Sequence, residues 1–219
     1  MLYEASIFTR LTAAFVPAKR LCYNRGLKLA IFGGTFDPIH CAHVEVASEA
    51  LIRFQLDRVL FIPAAHPPHK TGTRIAPYED RLRMVELACQ GNPHFGVSRL
   101  EEGKERSYTI NTVLRIRETL QARDRLFFLI GTDAFAEITT WHQWKQLLGL
   151  VEFIVVSRPG HQYEVPEGAH VHRLDSVALA VSSSEIRTKL ARGESVPEVP
   201  LAVMQYIQGH GLYAGPESE

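Results

Sequence analysis

The chain has 219 residues, of which 46% are hydrophobic, so it can form one large domain or two small ones with a sizeable core. Its formal net charge is zero with ten histidines uncounted, which argues against a nucleic-acid partner, because general nucleic-acid binders usually carry a strong basic excess. The apolar stretches are strand-length or interrupted by charge, so none reaches the about 20 residues of a bilayer helix and no membrane partner is expected.

Residues 1–27 are mostly basic or apolar, and the sequence explains them least. Four basic residues stand against the single acid Glu4: Arg10, Lys19, Arg20 and Arg25. This composition is mildly similar to that of an organellar transit peptide, whereas Arg10 interrupts the apolar stretch that a secretory signal would need. We favour a simpler interpretation, an N-terminal extension of unknown role or an upstream start codon, ahead of a domain that begins near Lys28.

The three cysteines, Cys22, Cys41 and Cys89, are widely spaced and form no C-x-x-C pair. An odd number of such cysteines favours a reducing compartment, and we expect a cytoplasmic protein. We interpret Cys41 as a packing residue, although it lies between two histidines.

From Lys28 onward, short apolar runs alternate with amphipathic stretches, which is the pattern of βαβ units. Strands are predicted at 28–32, 58–62, 95–98, 126–130 and 151–157, and helices at 42–54, 77–90, 109–122, 141–148, 183–191 and 199–208. Several strands are apolar throughout, as expected when helices cover both faces of a sheet. We therefore predict an α/β fold with a doubly wound open parallel sheet and a small C-terminal helical part. The loops that follow strands one, two, four and five should converge on a ligand crevice.

The junction between the first strand and the first helix reads GGTFDPIHCAH from Gly33 to His43. Gly33 and Gly34 are predicted to let the backbone turn tightly and approach a ligand, and Pro38 to stop it from continuing as a strand. His40 and His43 would share one face of the first helical turn, where unpaired N–H groups attract anions. The junction thus predicts a phosphate site, although its spacing matches neither a dinucleotide-binding motif nor a P-loop. A metal site is disfavoured, because H-x-x-H lacks the H-E-x-x-H spacing and no nearby Cys or Glu completes it.

Two later helix starts allow both a structural and a ligand-binding interpretation. Ser182 and Glu185 predict a capping box and Gly193 a C-terminal cap, so Arg187 could simply be a solvated charge on a well-capped helix. Asp133 follows the strand at 126–130, where it could cap the next helix or contact a ligand.

The two tryptophans also have a structural interpretation. Trp141 and Trp144 are three residues apart and could be core aromatics on one helical face. Lys70 and Arg158, each alone in a loop, could be solvated charges.

The junction resembles the G-x-F-D-P-x-H-x-G-H motif of the nucleotidyltransferase superfamily, with Ala42 replacing the glycine before the last histidine. Within that superfamily the chain is most similar to the nicotinate-nucleotide adenylyltransferases. The other segments that carry the resemblance are Pro67-Pro68-His69-Lys70, Ser107-Tyr108-Thr109, Gly131-Thr132-Asp133, Trp141-His142-Gln143-Trp144, Ser157-Arg158-Pro159-Gly160 and Ser182-Ser183-Ser184-Glu185-Ile186-Arg187. They fall in the family's order, which makes chance a poor explanation.

The resemblance implies a Rossmann-like nucleotidyltransferase domain at 28–213 and a tail at 214–219. It implies transfer of the adenylyl group of ATP to nicotinate mononucleotide, with Mg²⁺ accompanying ATP and no metal motif in the protein. The catalytic residues that it implies are His40, His43 and Arg187. The implied ATP-binding residues are Gly33, Gly34, Thr35, Phe36, Gly131, Asp133, Ser182, Ser183, Ser184 and Ile186. The implied mononucleotide-binding residues are Lys70, Ser107, Tyr108, Thr109, Trp141 and Arg158.

Two other functions stay open. The acceptor could be nicotinamide mononucleotide, phosphopantetheine or a polyol phosphate, although Trp141 and Ser107-Tyr108-Thr109 argue against the last two. The protein could also bind nucleotide without turnover, with Ala42 as the symptom, because its methyl group would crowd the ATP adenosine. The sequence leaves the oligomeric state open, a homo-oligomer included.

Overall fold

The structure, a computed structural model, describes residues 25–67, 75–103, 107–157, 162–175 and 181–215. Two residues predicted to bind the mononucleotide, Lys70 and Arg158, lie outside the described residues. Most of the segment 1–27 also lies outside them, so its role and the domain boundaries stay predictions.

Within the described residues, six parallel strands form one sheet in the order β3-β2-β1-β4-β5-β6. The strands are β1 (Lys28–Gly34), β2 (Arg58–Pro63), β3 (Phe95–Val97), β4 (Arg125–Gly131), β5 (Glu152–Ser157) and β6 (His170–Asp175). The doubly wound α/β fold predicted from the sequence is confirmed, and each predicted strand is present.

Seven α-helices and one short 3₁₀ helix are present in the described parts of the chain. The α-helices are α1 (Cys41–Arg53), α2 (Tyr78–Cys89), α3 (Thr109–Arg117), α4 (Thr132–Ala136), α5 (Trp144–Leu150), α6 (Ser183–Ala191) and α7 (Leu201–Gly209), and the 3₁₀ helix is Ile138–Thr140. None of them is both long and apolar enough to cross a membrane.

The central strands are apolar throughout because both faces of the sheet are covered. Successive side chains of a strand point to opposite faces. In β1, Ala30 belongs to one core cluster, whereas Leu29 and Ile31 belong to the other. Helices α1, α2, α6 and α7 contribute to the first cluster, and α3, α4 and α5 contribute to the second. This division places the two sets of helices on opposite faces.

Strand β6 was not predicted, and its sequence explains why. It reads HVHRLD and lies at the edge of the sheet, where only Leu174 is buried. An edge strand that is mostly exposed lacks the apolar run that identified the central strands.

The helix predicted at 141–148 was wrong at its start. Gln143 has a positive φ of 52° and caps α5, which begins at Trp144. Trp141 therefore precedes the helix, and the two tryptophans do not lie on one helical face. The helix predicted at 109–122 was also too long, because α3 ends at Arg117.

Arg81, on α2, holds the loops at the carboxyl ends of β1 and β2 together. Its guanidinium is 2% exposed and donates four hydrogen bonds, all to backbone carbonyl oxygens. The acceptors are Thr35 (2.7 Å), Ala64 (2.8 Å), Ala65 (3.4 Å) and, just before α2, Ala76 (2.9 Å). A planar guanidinium can supply several donors in fixed directions, which suits a point where three chain segments meet.

We expect Arg81→Met to destabilise the protein severely. The four carbonyls are partly buried, and a buried acceptor left without a donor costs about 1 to 3 kcal/mol, so the free energy of unfolding should fall by at least about 3 kcal/mol. Urea denaturation measures this change. The matched control is Arg83→Met on the same helix, where an exposed ion pair with Glu86 should contribute about 0.5 kcal/mol or less. Similar losses in the two variants would contradict the role of Arg81.

Candidate active site

The candidate site lies where the order of the parallel strands changes direction, between β1 and β4. Strands β1 and β4 are neighbours, but β1 leads into α1 on one face and β4 leads into α4 on the other. In open α/β sheets such a switch point leaves a crevice beyond the carboxyl ends of the strands. Most of the predicted site residues lie in the segments that follow these strands.

The turn after β1 differs from its prediction. Gly33 and Gly34 remain within β1 and pair in register with Ile62 and Pro63 of β2. The left-handed residue of the turn is Phe36, with φ of 50°. Gly34 has a different role, because a Cβ atom there would lie only 3.0 Å from the Phe36 ring. Gly34 therefore gives the ring of Phe36 room, and neither glycine forms the turn.

The ring of Phe36 belongs to the hydrophobic core, although the residue was predicted to bind ATP. It is almost fully buried and packs edge-on against Phe32 at a centroid distance of 5.6 Å. Ile186, also predicted to bind ATP, is buried in the same core cluster. Only the backbone groups of these two residues could contact a nucleotide.

His40 and His43 lie against each other at the start of α1. Their ring centroids are 3.8 Å apart, and the backbone N–H of His40 donates to Nδ1 of His43 at 3.3 Å. His40 is the N-cap residue and is 5% exposed, whereas His43 is half-buried. Nδ1 of His40 is buried and has no hydrogen-bond partner among the described residues.

Burial keeps both imidazoles neutral at pH 7. Desolvation lowers the pKa of His40 to about 4, although the carboxylate of Glu198 opposes the shift. Desolvation also holds the pKa of His43 well below its usual value, and the neighbouring His40 lowers it further. Because Nδ1 of His43 accepts a hydrogen bond, its single proton must lie on Nε2. His43 is thus prepared to donate from Nε2 to an anion.

Asp37 occupies the centre of the turn and is 1% exposed. Its Oδ1 accepts hydrogen bonds from the backbone N–H of Ala76 at 3.1 Å and from the hydroxyl of Tyr213 at 2.6 Å. Its Oδ2 lies 3.6 Å from Nη1 of Arg187. Sequence reasoning used Asp37 only as a motif position and missed Tyr213. The signal in the sequence was the position of a carboxylate between Phe36 and Pro38. A carboxylate that is buried there needs hydrogen-bond partners from the protein.

The start of α6 docks onto this turn. The Ser183 hydroxyl donates to the carbonyl of Pro38 at 3.0 Å, and Nη1 of Arg187 donates to the carbonyl of Asp37 at 2.7 Å. Nη2 of Arg187 donates to Oγ of Ser184 at 3.3 Å. Arg187 is 20% exposed, so its interpretation as a solvated charge was wrong. The predicted cap is present, because Oγ of Ser182 accepts from the backbone N–H of Glu185 at 3.2 Å.

The other half of the site follows β4. Gly131 is the N-cap of α4, so Asp133 does not cap that helix. Asp133 is exposed in the first turn, and its carboxylate is open to a ligand. Thr132 instead faces inward and donates to the carbonyl of Val156 at 2.7 Å.

Aromatic residues cluster beside this half. Trp141 packs against Phe128 at a centroid distance of 6.1 Å, and Tyr108 lies 4.7 Å from the ring of His142. Nε1 of Trp141 is buried and has no hydrogen-bond partner among the described residues. The contact of His142 was missed by sequence reasoning.

The start of α3 is joined to the loop after β2. Tyr108 is the N-cap of α3 and makes no side-chain cap bond. Ser107 and His66 exchange two hydrogen bonds, one from each backbone N–H, at 3.3 and 3.2 Å. The first backbone N–H groups of α3 therefore lie beside the segment that follows β2, at the same end of the sheet.

Phe128 connects the two halves. Its ring packs against Trp141 and lies 3.7 Å from the position that a Cβ atom on Gly33 would take. The loops after β1 and β2 are joined by Arg81, so the predicted convergence is confirmed for these segments. The first residues after β5, 158–161, lie outside the described residues.

Ala42 does not project into open space. It is 5% exposed, so the protein already covers the methyl group that distinguishes it from the superfamily glycine. The expectation that this methyl group crowds ATP is therefore not supported by the position of the residue.

Comparison with known proteins gives one family. Residues 31–189 match the cytidylyltransferase-like family model. A probable nicotinate-nucleotide adenylyltransferase of Solibacter usitatus is 58% identical over 188 residues, which cover 85% of this chain and 100% of the relative. A protein of the same description from Exiguobacterium sibiricum is 41% identical over 190 residues, 86% of this chain and 100% of the relative.

Solved structures show the same fold at lower identity. A Plasmodium falciparum nicotinic acid mononucleotide adenylyltransferase complexed with NaAD has a TM-score of 0.71 and 19% identity, covering 85% of this chain and 97% of that one. The same enzyme complexed with APC has a TM-score of 0.69 at 19% identity, with the same coverage.

The hydrogen bonds of the histidines predict their tautomers. At pH 7.5, His43 should be neutral with its proton on Nε2, because Nδ1 is an acceptor. His94 and His210 serve as internal controls, since Nδ1 of each faces a carbonyl oxygen, at 3.0 and 2.9 Å, and must carry the proton. Long-range ¹H–¹⁵N NMR spectra of the imidazoles distinguish the two tautomers. A charged His43, or one protonated on Nδ1, would contradict the geometry.

Proposed function

Since the chain belongs to the cytidylyltransferase-like family and, within it, to the nicotinate-nucleotide adenylyltransferases, we propose that it transfers the adenylyl group of ATP to nicotinate mononucleotide. The products are pyrophosphate and nicotinate adenine dinucleotide, a step of NAD biosynthesis. The observation that carries this proposal is the contact between α6 and the turn after β1, where Arg187 donates to Asp37 and Ser183 to Pro38. It brings the two predicted phosphate-binding segments together.

The phosphate of the mononucleotide is itself the nucleophile, so no side chain needs to form a covalent intermediate. The protein must align that phosphate with the α-phosphate of ATP and stabilise the charge that develops. His43 would donate from Nε2 to a phosphate oxygen, and His40 lies against it. Arg187 would hold the departing pyrophosphate, because its fixed planar fork can bind two oxygens.

ATP is proposed to lie along the turn after β1 and the start of α6. Gly33, Gly34 and Thr35 would offer backbone groups, and Gly33 is exposed. Phe36 and Ile186 would contribute through their backbones only, since their side chains are buried. Gly131 and Asp133 after β4 also belong to the proposed ATP-binding set. Three serines at the start of α6 complete it: Ser182, Ser183 and Ser184.

The nicotinate ring is proposed to bind beside Trp141, because an indole is a large flat partner for a pyridine ring. Its carboxylate would then lie at the backbone N–H groups that begin α3, near Ser107, Tyr108 and Thr109. A helix start attracts a carboxylate, and the N-cap residue Tyr108 makes no side-chain hydrogen bond to this helix start. Lys70 and Arg158 remain proposed mononucleotide-binding residues and lie outside the described residues.

Magnesium is proposed to enter with ATP. The described residues contain no group of three or more His, Cys, Asp or Glu side chains that could hold a metal ion. Asp133 fits a magnesium ion carried by substrate, since Mg²⁺ often binds one carboxylate together with substrate phosphates. The ion would neutralise phosphate charge, while Arg187 and the helix starts orient the phosphates. A cytoplasmic location and the absence of a nucleic-acid partner stay predictions.

Pyrophosphate release from ATP and nicotinate mononucleotide by the purified chain tests the function directly. Release only with phosphopantetheine or a polyol phosphate would replace the acceptor, and no release with any acceptor would support binding without turnover.

His43→Ala and Arg187→Ala should lower kcat more than they raise the KM for ATP, because their contacts should strengthen in the transition state. Loss of one such donor typically costs about 2.7 to 4 kcal/mol of transition-state stabilisation, or about 10² to 10³ in kcat. Steady-state kinetics gives both constants. His94→Ala, which removes an exposed histidine outside the proposed site, is the control and should leave kcat unchanged. Unchanged kcat in the two site variants would reject their roles.

The acid mononucleotide should be preferred over the amide by one to two decades in kcat/KM. An amide NH₂ would face the N–H donors of α3, and such a mismatch costs roughly 1 to 3 kcal/mol. Trp141→Ala should weaken both substrates through lost stacking and keep the preference, since the backbone sets it. Trp144→Ala is the matched control for loss of an indole. Equal use of acid and amide by the unaltered chain would favour dual specificity.

A further inference from the structure

Tyr213 ties the end of the chain to the turn after β1. Its hydroxyl donates to Oδ1 of Asp37 at 2.6 Å, although 176 residues separate the two in sequence. The backbone N–H of Ala76 donates to the same oxygen. Oδ1 thus has two donors, whereas Oδ2 is buried and has no hydrogen-bond partner among the described residues.

This asymmetry orients the carboxylate. With Oδ1 held by Tyr213 and Ala76, Oδ2 is directed toward Arg187, at 3.6 Å from its Nη1. That distance exceeds a hydrogen bond, and Nη1 instead donates to the carbonyl oxygen of Asp37 at 2.7 Å. The guanidinium is therefore close to a negative charge without being bound by it in a fork.

Tyr213 is itself fixed in place. Its φ is 61°, a conformation that non-glycine residues adopt only where the surroundings impose it. It is half-buried against the core cluster that contains α1, α6 and α7. Burial and the neighbouring Asp37 raise the pKa of Tyr213 well above its usual value, so the hydroxyl stays protonated and acts as a donor.

We propose that Tyr213 is a positioning residue for Arg187, acting through Asp37, and this inference rests on the proposed role of Arg187 in adenylyl transfer. Without the Tyr213 hydroxyl, Oδ1 keeps one donor and the carboxylate is free to rotate toward the guanidinium. A forked pair with Asp37 would then occupy the same donors that Arg187 needs for the leaving pyrophosphate. Tyr213 thus keeps Arg187 available for phosphate.

The test compares two tyrosines that bind carboxylates. Tyr206 donates to Oδ1 of Asp80 at 2.8 Å, and neither residue belongs to the proposed site, so Tyr206→Phe removes the same kind of bond as Tyr213→Phe. Tyr213→Phe should lower kcat about tenfold, the equivalent of one hydrogen bond, and leave the KM for nicotinate mononucleotide unchanged. Tyr206→Phe should keep kcat within about twofold. Both are assayed at a temperature where circular dichroism shows them folded.

A double-mutant cycle separates positioning from general destabilisation. In an Arg187→Ala background, Tyr213→Phe should change kcat by less than about twofold, because the residue through which it acts is gone. The same tenfold loss in both backgrounds would overturn the inference, as would a Tyr213→Phe kcat equal to that of Tyr206→Phe. An unaltered chain without adenylyl transfer would instead defeat the proposed function, and this inference with it.

Discussion

The buried carboxylate of Asp37 imposes the constraint on which the candidate site depends. A charge removed from water must be given donors or opposite charges by the protein. Ala76 and Tyr213 donate to its Oδ1, and Arg187 lies beside its Oδ2. Arg81 donates to the carbonyl of Thr35 in the same turn. Burial lowers the pKa of Arg81, although the nearby Asp37 opposes the shift. These partners come from distant parts of the chain, so the carboxylate finds its donors only where the fold brings those parts together.

The sheet topology explains why the proposed substrates meet at one place. The strand order changes direction between β1 and β4. Helices α1 and α6 lie on one face of the sheet, and α3, α4 and α5 lie on the other. The proposed phosphate-binding segments come from the first group, and the proposed nicotinate-binding residues come from the second. A crevice between them requires no special loop, since it follows from the open sheet.

In this site, positive charge and oriented hydrogen-bond donors come from different side chains. Arg187 supplies a permanent positive charge, whereas the two histidines are kept neutral by burial and supply oriented donors. The two imidazoles, with ring centroids 3.8 Å apart, could not both be charged without strong repulsion. With both rings neutral, the Nε2–H of His43 is directed by the bond that its Nδ1 accepts.

The sequence alone determined the parts of this protein that depend on local pattern. Apolar runs identified the buried strands, and the Ser182 and Gly193 caps marked the ends of α6, because these signals lie within a few residues of one another. The glycines and histidines of the first junction predicted a phosphate site, and resemblance to a known family added the role of Arg187. The mostly exposed edge strand β6 carried no such pattern and was missed.

Tertiary structure decided what depends on contacts between distant residues. Phe36 rather than a glycine took the left-handed position, because its ring fills the core above Gly34. The link from Tyr213 to Asp37 and the four carbonyls on Arg81 join segments that no local pattern relates. The positions of hydrogen bonds to buried charges are set by where the packed core brings chain segments together, and that information exists only in the folded protein.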